Sequence, residues 1–297
     1  MSEVAGEVTA GSQAAALMTV LDLEQADTDV YVGRTPRSPL QRIFGGQVAG
    51  QALMAATRTL PEDRSVHSLH SYFLRPGDPH EEIRYAVDRI RDGRSFTTRR
   101  VVAWQRRNGA DVAIFSLTAD ASAPQPVVAE HTRPMPEVPP AETLPTLAEL
   151  VAPYGEHASA ALAISRSVEQ RLMEDPFARA PKVPPHTKTY AWMRVAGRLP
   201  EQPAVHAAAL TFVSDLTLLS AGLARLGGGW GGRYVGASLD HAVWFHQPVQ
   251  ADEWFLYETD SPAATGGRAL CSGDIWSADG RHVATVVQQG LIRSLER

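Results

Sequence analysis

A weak internal repeat limits the folds open to this chain of 297 residues. The string FGGQ at residues 44–47 opens an Ala-rich apolar segment, and the string FVSD at residues 212–215 lies within a second one. After each segment comes an aromatic run that ends in proline, at Pro76 and at Pro248. The spacings agree, because 212 minus 44 is 168 and 248 minus 76 is 172. The pattern therefore predicts one fold present in two copies.

Each copy has the pattern of a short strand, one long apolar helix and an antiparallel meander. Leading strands are predicted near Val30 and Val168, and the helix of the second copy is predicted to run unbroken through FVSD to Gly227. Asp-Gly, Asn-Gly and Gly-Gly pairs separate the strand-like stretches after each proline, and such pairs favour hairpins. One helix against sequential strands, without βαβ alternation, indicates the α+β class. We therefore expect a double hot-dog, in which an antiparallel sheet wraps a long buried helix in each copy.

A proline-rich stretch separates the two copies. Twelve of the 21 prolines lie between Pro124 and Pro185, which is the composition of a connector. The predicted domains are an N-terminal hot-dog repeat at residues 1–125, a linker at residues 126–159 and a C-terminal hot-dog repeat at residues 160–297. A homodimer or homotetramer is expected, because the edges and faces of such sheets commonly pair.

The composition excludes several classes of protein. With 28 Lys and Arg residues against 33 Asp and Glu residues, the net charge of -5 argues against a dedicated nucleic-acid-binding protein. The single cysteine, Cys271, cannot form an internal disulfide or a Cys-based metal site, and it favours a reducing compartment. The first residues lack the basic and apolar regions expected of a signal peptide, and no apolar run is expected to approach the roughly 20 residues of a membrane span. A cytoplasmic protein without membrane contact is the resulting prediction.

Specific strings add to this periodicity. FGGQVAGQAL, VHSLHSYFLRPGD, RDGRSFTTRRV, SDLTLL, LDHAVWFHQP and VVQQGLIR together resemble, in the same order, the acyl-CoA thioesterase II family of double hot-dog hydrolases. The resemblance covers the chain from about Leu21 onward. It implies that the chain hydrolyses acyl-CoA thioesters to free fatty acid and CoA, with CoA as part of the substrate and no separate cofactor.

The resemblance also implies a catalytic set in the C-terminal repeat. Matched string by string, Asp215, Ser238 and Gln288 act together on a water molecule, and Gln289 is the neighbouring alternative to Gln288. A carboxylate on an apolar helix can accept a proton from water, while a hydroxyl and an amide can orient that water toward a thioester carbonyl. Asp215 is predicted to lie in mid-helix, where a capping role does not explain it.

The start of the first apolar helix supports two further predictions. Gly45 and Gly46 are candidates for donating backbone N–H groups to an oxyanion, because glycine allows close approach of the backbone. Gln47 occupies the position in the first copy that Asp215 holds in the second. Since an amide cannot act as a base, the first copy is predicted to have lost that function.

Histidines raise the question of a metal site. His67 and His70 form an HxxH motif, and His241 and His246 follow further along the chain. Residues three apart in a strand face opposite sides, so the motif is not predicted to chelate a metal ion. His67 and His70 are expected either to line the acyl pocket or polarise the thioester carbonyl, or to be packed, hydrogen-bonded core residues.

Three alternatives to hydrolysis by an oriented water arise from the sequence, and the first of them, a nucleophilic triad, is not favoured. A Ser-His-Asp triad can be drawn from Ser238, His241 and Asp240, but these residues are neighbours in a strand and no GxSxG motif is present. A hot-dog hydratase or dehydratase acting on enoyl thioesters needs its own Asp and His strings, which the chain lacks. A non-catalytic acyl-CoA sensor fits the fold but not the retention of all three polar residues.

Arginines are concentrated in the hairpins of the first copy. Most are expected to lie on a solvated face, although arginine forks also suit the phosphates of CoA. These residues are Arg89, Arg91, Arg94, Arg99, Arg100, Arg106 and Arg107.

Overall fold

The structure is a computed structural model, and it describes residues 10–36, 41–126, 128–158, 162–163, 165–175, 188–228 and 234–295. Its helices include α1 (Ala10–Leu21), α2 (Gly45–Thr57), α3 (Leu147–Val151), α4 (Pro203–Ser214) and α5 (Leu218–Arg225). The first half contains β1 (Glu24–Asp27), β2 (Val30–Gly33), β3 (Ser65–Phe73), β4 (Ile83–Asp92), β5 (Phe96–Arg107) and β6 (Ala110–Ser122). The second half contains β7 (Glu169–Leu172), β8 (Thr189–Arg194), β9 (Tyr234–Ser238), β10 (Asp240–Phe245), β11 (Phe255–Thr265), β12 (Arg268–Ser277) and β13 (His282–Ser294).

The strands form one continuous antiparallel sheet with the same order in both halves. From one edge to the centre the first half runs β1-β2-β4-β5-β6-β3, and from the other edge the second half runs β7-β8-β11-β12-β13-β10, with β9 also paired to β13. β3 and β10 pair at the centre, where His70 lies opposite Ala242. The predicted two-copy α+β architecture is confirmed, together with the leading strands β2 and β7. Each half has a further leading strand, β1 or β8, that the sequence pattern did not reveal.

Helix α2 packs antiparallel against α4 in the core. A Cβ atom at Gly46 would lie 2.4 Å from the carbonyl oxygen of Phe212, and one at Gly50 would lie 3.1 Å from that of Ala208. Glycine at these positions lets the two helix backbones approach closely. The ring of Phe44 meets that of Phe212 edge-on at 5.1 Å. The start of α2 is therefore held against the end of α4.

The apolar segment of the second half forms two helices, and the prediction of one unbroken helix is wrong. Helix α4 ends at Ser214 and α5 begins at Leu218. After Ser214 the backbone forms a tighter turn, in which the N–H of Leu216 donates to the carbonyl oxygen of Val213 at 3.0 Å, and the carbonyl oxygen of Ser214 accepts from the hydroxyl of Tyr257 at 3.0 Å. Asp215 is the C-cap residue of α4, with φ -85° and ψ -6°, and is not a mid-helix residue.

The run through α4 and α5, Pro203–Arg225, is long and apolar enough to cross a membrane by length and composition alone. The expectation that the chain has no such run is therefore wrong. The apolar 18-residue window of this run is 72% buried inside the protein, which is typical of a core helix.

The proline-rich segment packs on the second half of the sheet, on the face away from the main core. Nε1 of Trp192 donates to the carbonyl oxygen of Pro139 at 2.8 Å, and Nε1 of Trp276 donates to that of Arg133 at 3.1 Å. Prolines lack N–H donors but keep their carbonyl acceptors, which suits this arrangement. The segment thus covers apolar surface of the second half, and the predicted limits of the linker at residues 126–159 stay a prediction.

Candidate active site

Asp215, Ser238 and Gln288 meet where α4 ends beside β9 and β13. The hydroxyl of Ser238 donates to Oδ1 of Asp215 at 3.0 Å, and Nε2 of Gln288 donates to Oγ of Ser238 at 2.6 Å. Asp215 follows α4, Ser238 is the last residue of β9 and Gln288 lies in β13. Side chains that are 23 and 50 residues apart in the sequence therefore form one hydrogen-bonded group.

The register of β9 and β13 determines which of two adjacent glutamines joins this group. Ser238 lies opposite Gly290, and residues two apart on a strand share a face, so Gln288 points to the same side as Ser238. Gln288 is fully buried. Gln289 points the other way, and its backbone N–H donates to Oδ1 of Asp240 at 2.8 Å. The geometry favours Gln288, as the sequence analysis did.

Burial dominates the electrostatics of Asp215. The residue is only 8% exposed. Burial raises the pKa of its carboxyl above the usual value, because the charged form loses contact with water. His241, hydrogen bonds from Ser238 and Gln288, and the backbone N–H of Gly46 act on the pKa in the opposite direction. A carboxylate whose pKa is raised toward neutrality is a better general base near pH 7.

The start of α2 lies against this carboxylate. The backbone N–H of Gly46 hydrogen-bonds to Asp215, and a Cβ atom at Gly45 would lie 2.7 Å from Oδ2 of Asp215. N–H groups in the first turn of a helix have no acceptor within the helix and carry partial positive charge. The two glycines therefore bring the positive end of α2 to the carboxylate, and their role at an oxyanion stays a prediction.

Comparisons with known proteins identify the family. A sequence profile of the acyl-CoA thioesterase N-terminal domain matches residues 34–122, and one of the acyl-CoA thioesterase C-terminal domain matches residues 136–292. The chain belongs to the acyl-CoA thioesterase II family. The family predicted from the six strings is thereby confirmed.

Individual relatives match this acyl-CoA thioesterase over nearly its whole length. Human acyl-coenzyme A thioesterase 8 is 37% identical over 288 residues, which are 93% of this chain and 88% of the human protein. Acyl-CoA thioesterase 2 of Haemophilus influenzae is 34% identical, over 94% of this chain and 98% of its own. The crystal structure of the acyl-CoA thioesterase II TesB2 from Mycobacterium marinum is 39% identical, with a TM-score of 0.76, over 94% of this chain and 99% of that one. The double hot-dog fold is confirmed with them.

The thioesterase has a fully buried histidine, His241, beside the three polar residues. Its Nδ1 lies 2.7 Å from Oε1 of Gln288, and its Nε2 lies 2.8 Å from Oγ of Ser214. Its ring makes neither the contact to Ser238 nor the contact to Asp240 that a Ser-His-Asp triad needs, since those two residues bond Asp215 and Gln289. The alternation in LDHAVWF, which places His241 on the inward face with Val243, is the signal that could have found it.

His67 and His70 lie on the outer face of the sheet, away from Asp215. Leu69 and Ser71 of β3 point inward, so His70 between them is exposed, and its ring meets that of Trp244 edge-on at 5.0 Å. His67 is partly exposed, and its Nε2 lies 3.0 Å from Oδ2 of Asp120. The predicted core position is therefore wrong for His70, whereas His67 is hydrogen-bonded and packs against Phe96, and a role of either histidine at the acyl pocket or the thioester carbonyl stays a prediction. Within the described part of the chain, no group of three or more His, Cys, Asp and Glu side chains is arranged to hold a metal ion.

Gln47 and Asp215 do not hold matching positions. Gln47 lies in the first turn of α2, whereas Asp215 follows the last residue of α4. Nε2 of Gln47 donates to Oγ1 of Thr35 at 2.9 Å, which gives the amide a structural partner. The predicted correspondence is wrong because Gln47 lies at the start of its helix, whereas Asp215 lies just past the end of its own. The two residues belong to opposite ends of helices that pack antiparallel.

Several arginines of the first half are paired with nearby carboxylates. Ion pairs join Arg89 to Asp29, Arg100 to Asp88 and Arg106 to Asp111 on the surface. Arg99 is instead buried, and it donates to Thr59 and to Asp92. Arg99 is thus an exception to the solvated face expected for most of these arginines, and contacts of the arginines to CoA stay a prediction.

Proposed function

We propose that this acyl-CoA thioesterase hydrolyses its substrate with a water molecule that Asp215 deprotonates and that Ser238 and Gln288 orient. The observation that carries the proposal is the convergence of a buried carboxylate, a hydroxyl and an amide from three separate elements through hydrogen bonds of 3.0 and 2.6 Å. A carboxylate accepts the proton, while a hydroxyl and an amide hold the water in line with the carbonyl carbon.

The proposed reaction has two steps. The water oxygen attacks the thioester carbonyl carbon and its proton passes to Asp215, which leaves a tetrahedral oxyanion. The C–S bond then breaks, the carbonyl re-forms, and the departing CoA sulfur takes the proton from Asp215. A thiol has a pKa near ~8.5, so the thiolate is a good leaving group and no covalent acyl-enzyme is needed. The products are the free fatty acid and CoA, and the scheme uses no cofactor.

The oxyanion of this intermediate requires N–H donors. Gly45 is the first residue of α2, where the backbone N–H has no acceptor within the helix. Because the N–H of Gly46 serves Asp215, Gly45 is the better candidate of the two predicted donors.

The proposed activity is tested by free-thiol release from a panel of acyl-CoAs of increasing chain length. We expect catalysed release with at least one chain length, and the profile defines the chain-length preference. Tight binding of acyl-CoA in calorimetry without any thiol release would favour the sensor function instead. Loss of the enoyl chromophore of an enoyl-CoA without thiol release would favour the hydratase.

The pH dependence of kcat/KM provides a second test of the proposed base. Only the ionised carboxylate of Asp215 accepts a proton, so kcat/KM falls as the pH drops through its pKa. Because burial raises this pKa, we expect the acid limb to lie above the usual range of an Asp. Ser238→Ala removes a hydrogen bond that lowers the pKa, so the acid limb should move to higher pH. An acid limb that is unchanged in Ser238→Ala would contradict the assignment.

We also propose that the thioesterase is a cytoplasmic homodimer or homotetramer with a role in fatty acid metabolism. The single cysteine, Cys271, is buried and unpaired, which is compatible with a reducing compartment. The sheet ends at β1, whose residues are all exposed, and its outer face exposes Tyr72, so an edge and a face are available for pairing.

A further inference from the structure

Four side-chain hydrogen bonds and one peptide bond join five residues around Asp215 into a closed circuit. Starting from His241, they pass to Gln288 at 2.7 Å, to Ser238 at 2.6 Å and to Asp215 at 3.0 Å. The peptide bond joins Asp215 to Ser214, whose hydroxyl lies 2.8 Å from Nε2 of His241. The circuit therefore returns to its first member, and the side chains of His241, Gln288 and Ser238 are each hydrogen-bonded on two sides.

The chemistry of the donors gives this circuit a direction. An amide oxygen only accepts and an amide nitrogen only donates. Since Oε1 of Gln288 faces Nδ1 of His241, the hydrogen of the imidazole lies on Nδ1. Nε2 of Gln288 donates to Ser238, so the single hydroxyl proton of Ser238 goes to Asp215.

The opposite direction would have a different consequence for Asp215. With the imidazole hydrogen on Nε2, the Gln288 amide would turn to donate to Nδ1, and Ser238 would donate to Oε1 of Gln288. Asp215 would then lose its hydroxyl donor and would itself need a proton to bond Ser238. Only the first direction keeps the carboxylate ionised and ready to accept a proton.

The surroundings of His241 favour a neutral ring and hold its backbone in place. Burial lowers the pKa of its imidazole, with Asp215 acting in the opposite sense, so the neutral ring carries one N–H. Oγ of Ser214 lies 2.8 Å from Nε2 of His241 and 3.0 Å from the carbonyl oxygen of Thr211, and in the first direction it gives its single proton to Nε2. Ser71 donates to the carbonyl oxygen of His241 at 2.8 Å, and Tyr257 donates to that of Ser214 at 3.0 Å, so both backbones are fixed.

We propose that His241 is a positioning residue of the hydrolysis: its Nδ1–H orients the amide of Gln288 and thereby directs the hydroxyl of Ser238 to Asp215. The inference rests on the proposed function, because it assigns to His241 the orientation of the proposed catalytic group. His241 acts through Gln288 and does not touch the substrate.

Two variants of His241 separate this role from packing. The amide nitrogen of Asn lies near the place of Nδ1, whereas that of Gln lies near the place of Nε2. His241→Asn keeps a donor for Gln288, and His241→Gln keeps only a partner for Ser214. We expect kcat of His241→Gln to fall by roughly 10- to 100-fold with KM changed less than about threefold, and kcat of His241→Asn to stay within about threefold of wild type.

We thus expect kcat to be higher for His241→Asn than for His241→Gln. Packing alone predicts the reverse order, because Gln is closer to His in volume than Asn is. Equal kcat values for the two variants, or a lower kcat for Asn than for Gln, would overturn the proposal. Thermal unfolding of both variants establishes that folded proteins are compared. The ¹⁵N shifts of the wild-type imidazole give a readout that needs no variant: we expect the neutral Nδ1–H tautomer, and an Nε2–H tautomer would overturn the proposal.

Failure of the positioning role of His241 can be distinguished from failure of the proposed function. If Asp215→Asn keeps full turnover, the proposed function fails, and the positioning role of His241 fails with it. If Asp215→Asn loses turnover while the two His241 variants behave alike, only the positioning role is overturned.

Discussion

Replacing Asp215 by Asn is expected to lower thioester turnover by about 10²–10⁴-fold, which is the contribution of a positioned general base. The amide nearly matches the carboxylate in shape, so the fold should persist. It cannot accept the proton of the attacking water. Ser238 and the N–H of Gly46 both donate to the carboxylate, whereas Asn has one accepting oxygen and an NH₂ group that accepts from neither donor. The variant therefore loses the base and also part of the network that orients the water.

The measurement is thiol release at saturating substrate, made beside circular dichroism and thermal unfolding of the same protein. Asp120→Asn is the matched control, because Asp120 accepts hydrogen bonds from Thr98 and His67 on the outer face and has no contact with the site. This control loses the same charge and is expected to keep wild-type turnover. Undiminished turnover of a folded Asp215→Asn variant would show that another group is the base.

The order of elements could be predicted because both copies show the same local signals. Hairpin pairs such as Asn108-Gly109 and Asp279-Gly280 adopt backbone conformations that few residues allow, so they mark turns wherever they occur. β1 has the sequence EQAD and shows no apolar alternation, because all four of its residues are exposed. No sequence pattern therefore predicts this strand. Local chemistry predicts turns and half-buried strands, and it does not predict a short exposed edge strand.

The break between α4 and α5 could not be predicted from the helix itself. FVSDLTLL has no proline or glycine, and its apolar residues continue on both sides of Asp215. Where the helix ends, Tyr257, 43 residues further along, donates its hydroxyl to the carbonyl oxygen of Ser214. Such a contact with a distant strand is not contained in the local propensity of the helix.

The meeting of Asp215, Ser238 and Gln288 agrees with the resemblance of the strings around them, and their catalytic role stays a prediction. The sequence does not predict the histidine beside them. The HxxH motif singles out His67 and His70 in the sequence. The register of β3 turns His70 outward, and the motif alone does not predict that register. His241 reaches the site because β10 pairs with both β3 and β13, and pairing between distant strands cannot be read from either strand alone.

Replacing the two glycines at the start of α2 by Ala is expected to have different effects: Gly45→Ala should lower turnover, and Gly46→Ala should lower stability. A Cβ atom at Gly45 would meet side chains, with Oδ2 of Asp215 at 2.7 Å and the ring of Phe73 at 2.8 Å. These atoms can move, so Gly45→Ala should change the free energy of unfolding by less than about 1 kcal/mol. The displaced carboxylate should nevertheless lower kcat by up to roughly 100-fold, because the proton acceptor leaves its position.

A Cβ atom added at Gly46 would collide with a backbone atom of α4, which cannot move aside as side chains can. A Cβ atom there would lie 2.4 Å from the carbonyl oxygen of Phe212, which can move only if α2 and α4 separate. Such overpacking costs about 1–3 kcal/mol, and the higher helix propensity of Ala returns up to about 1 kcal/mol, so we expect a net loss of about 2 kcal/mol.

Urea unfolding and thiol release on both variants test this contrast, and each variant serves as the control for the other. Stable Gly45→Ala with full turnover would mean that the carboxylate need not stay where α2 holds it. Unchanged stability of Gly46→Ala would mean that the close approach of the two helices is not required. If the contrast holds, the start of α2 has two separable functions: Gly46 sets the distance between the helices, and Gly45 leaves room for the base.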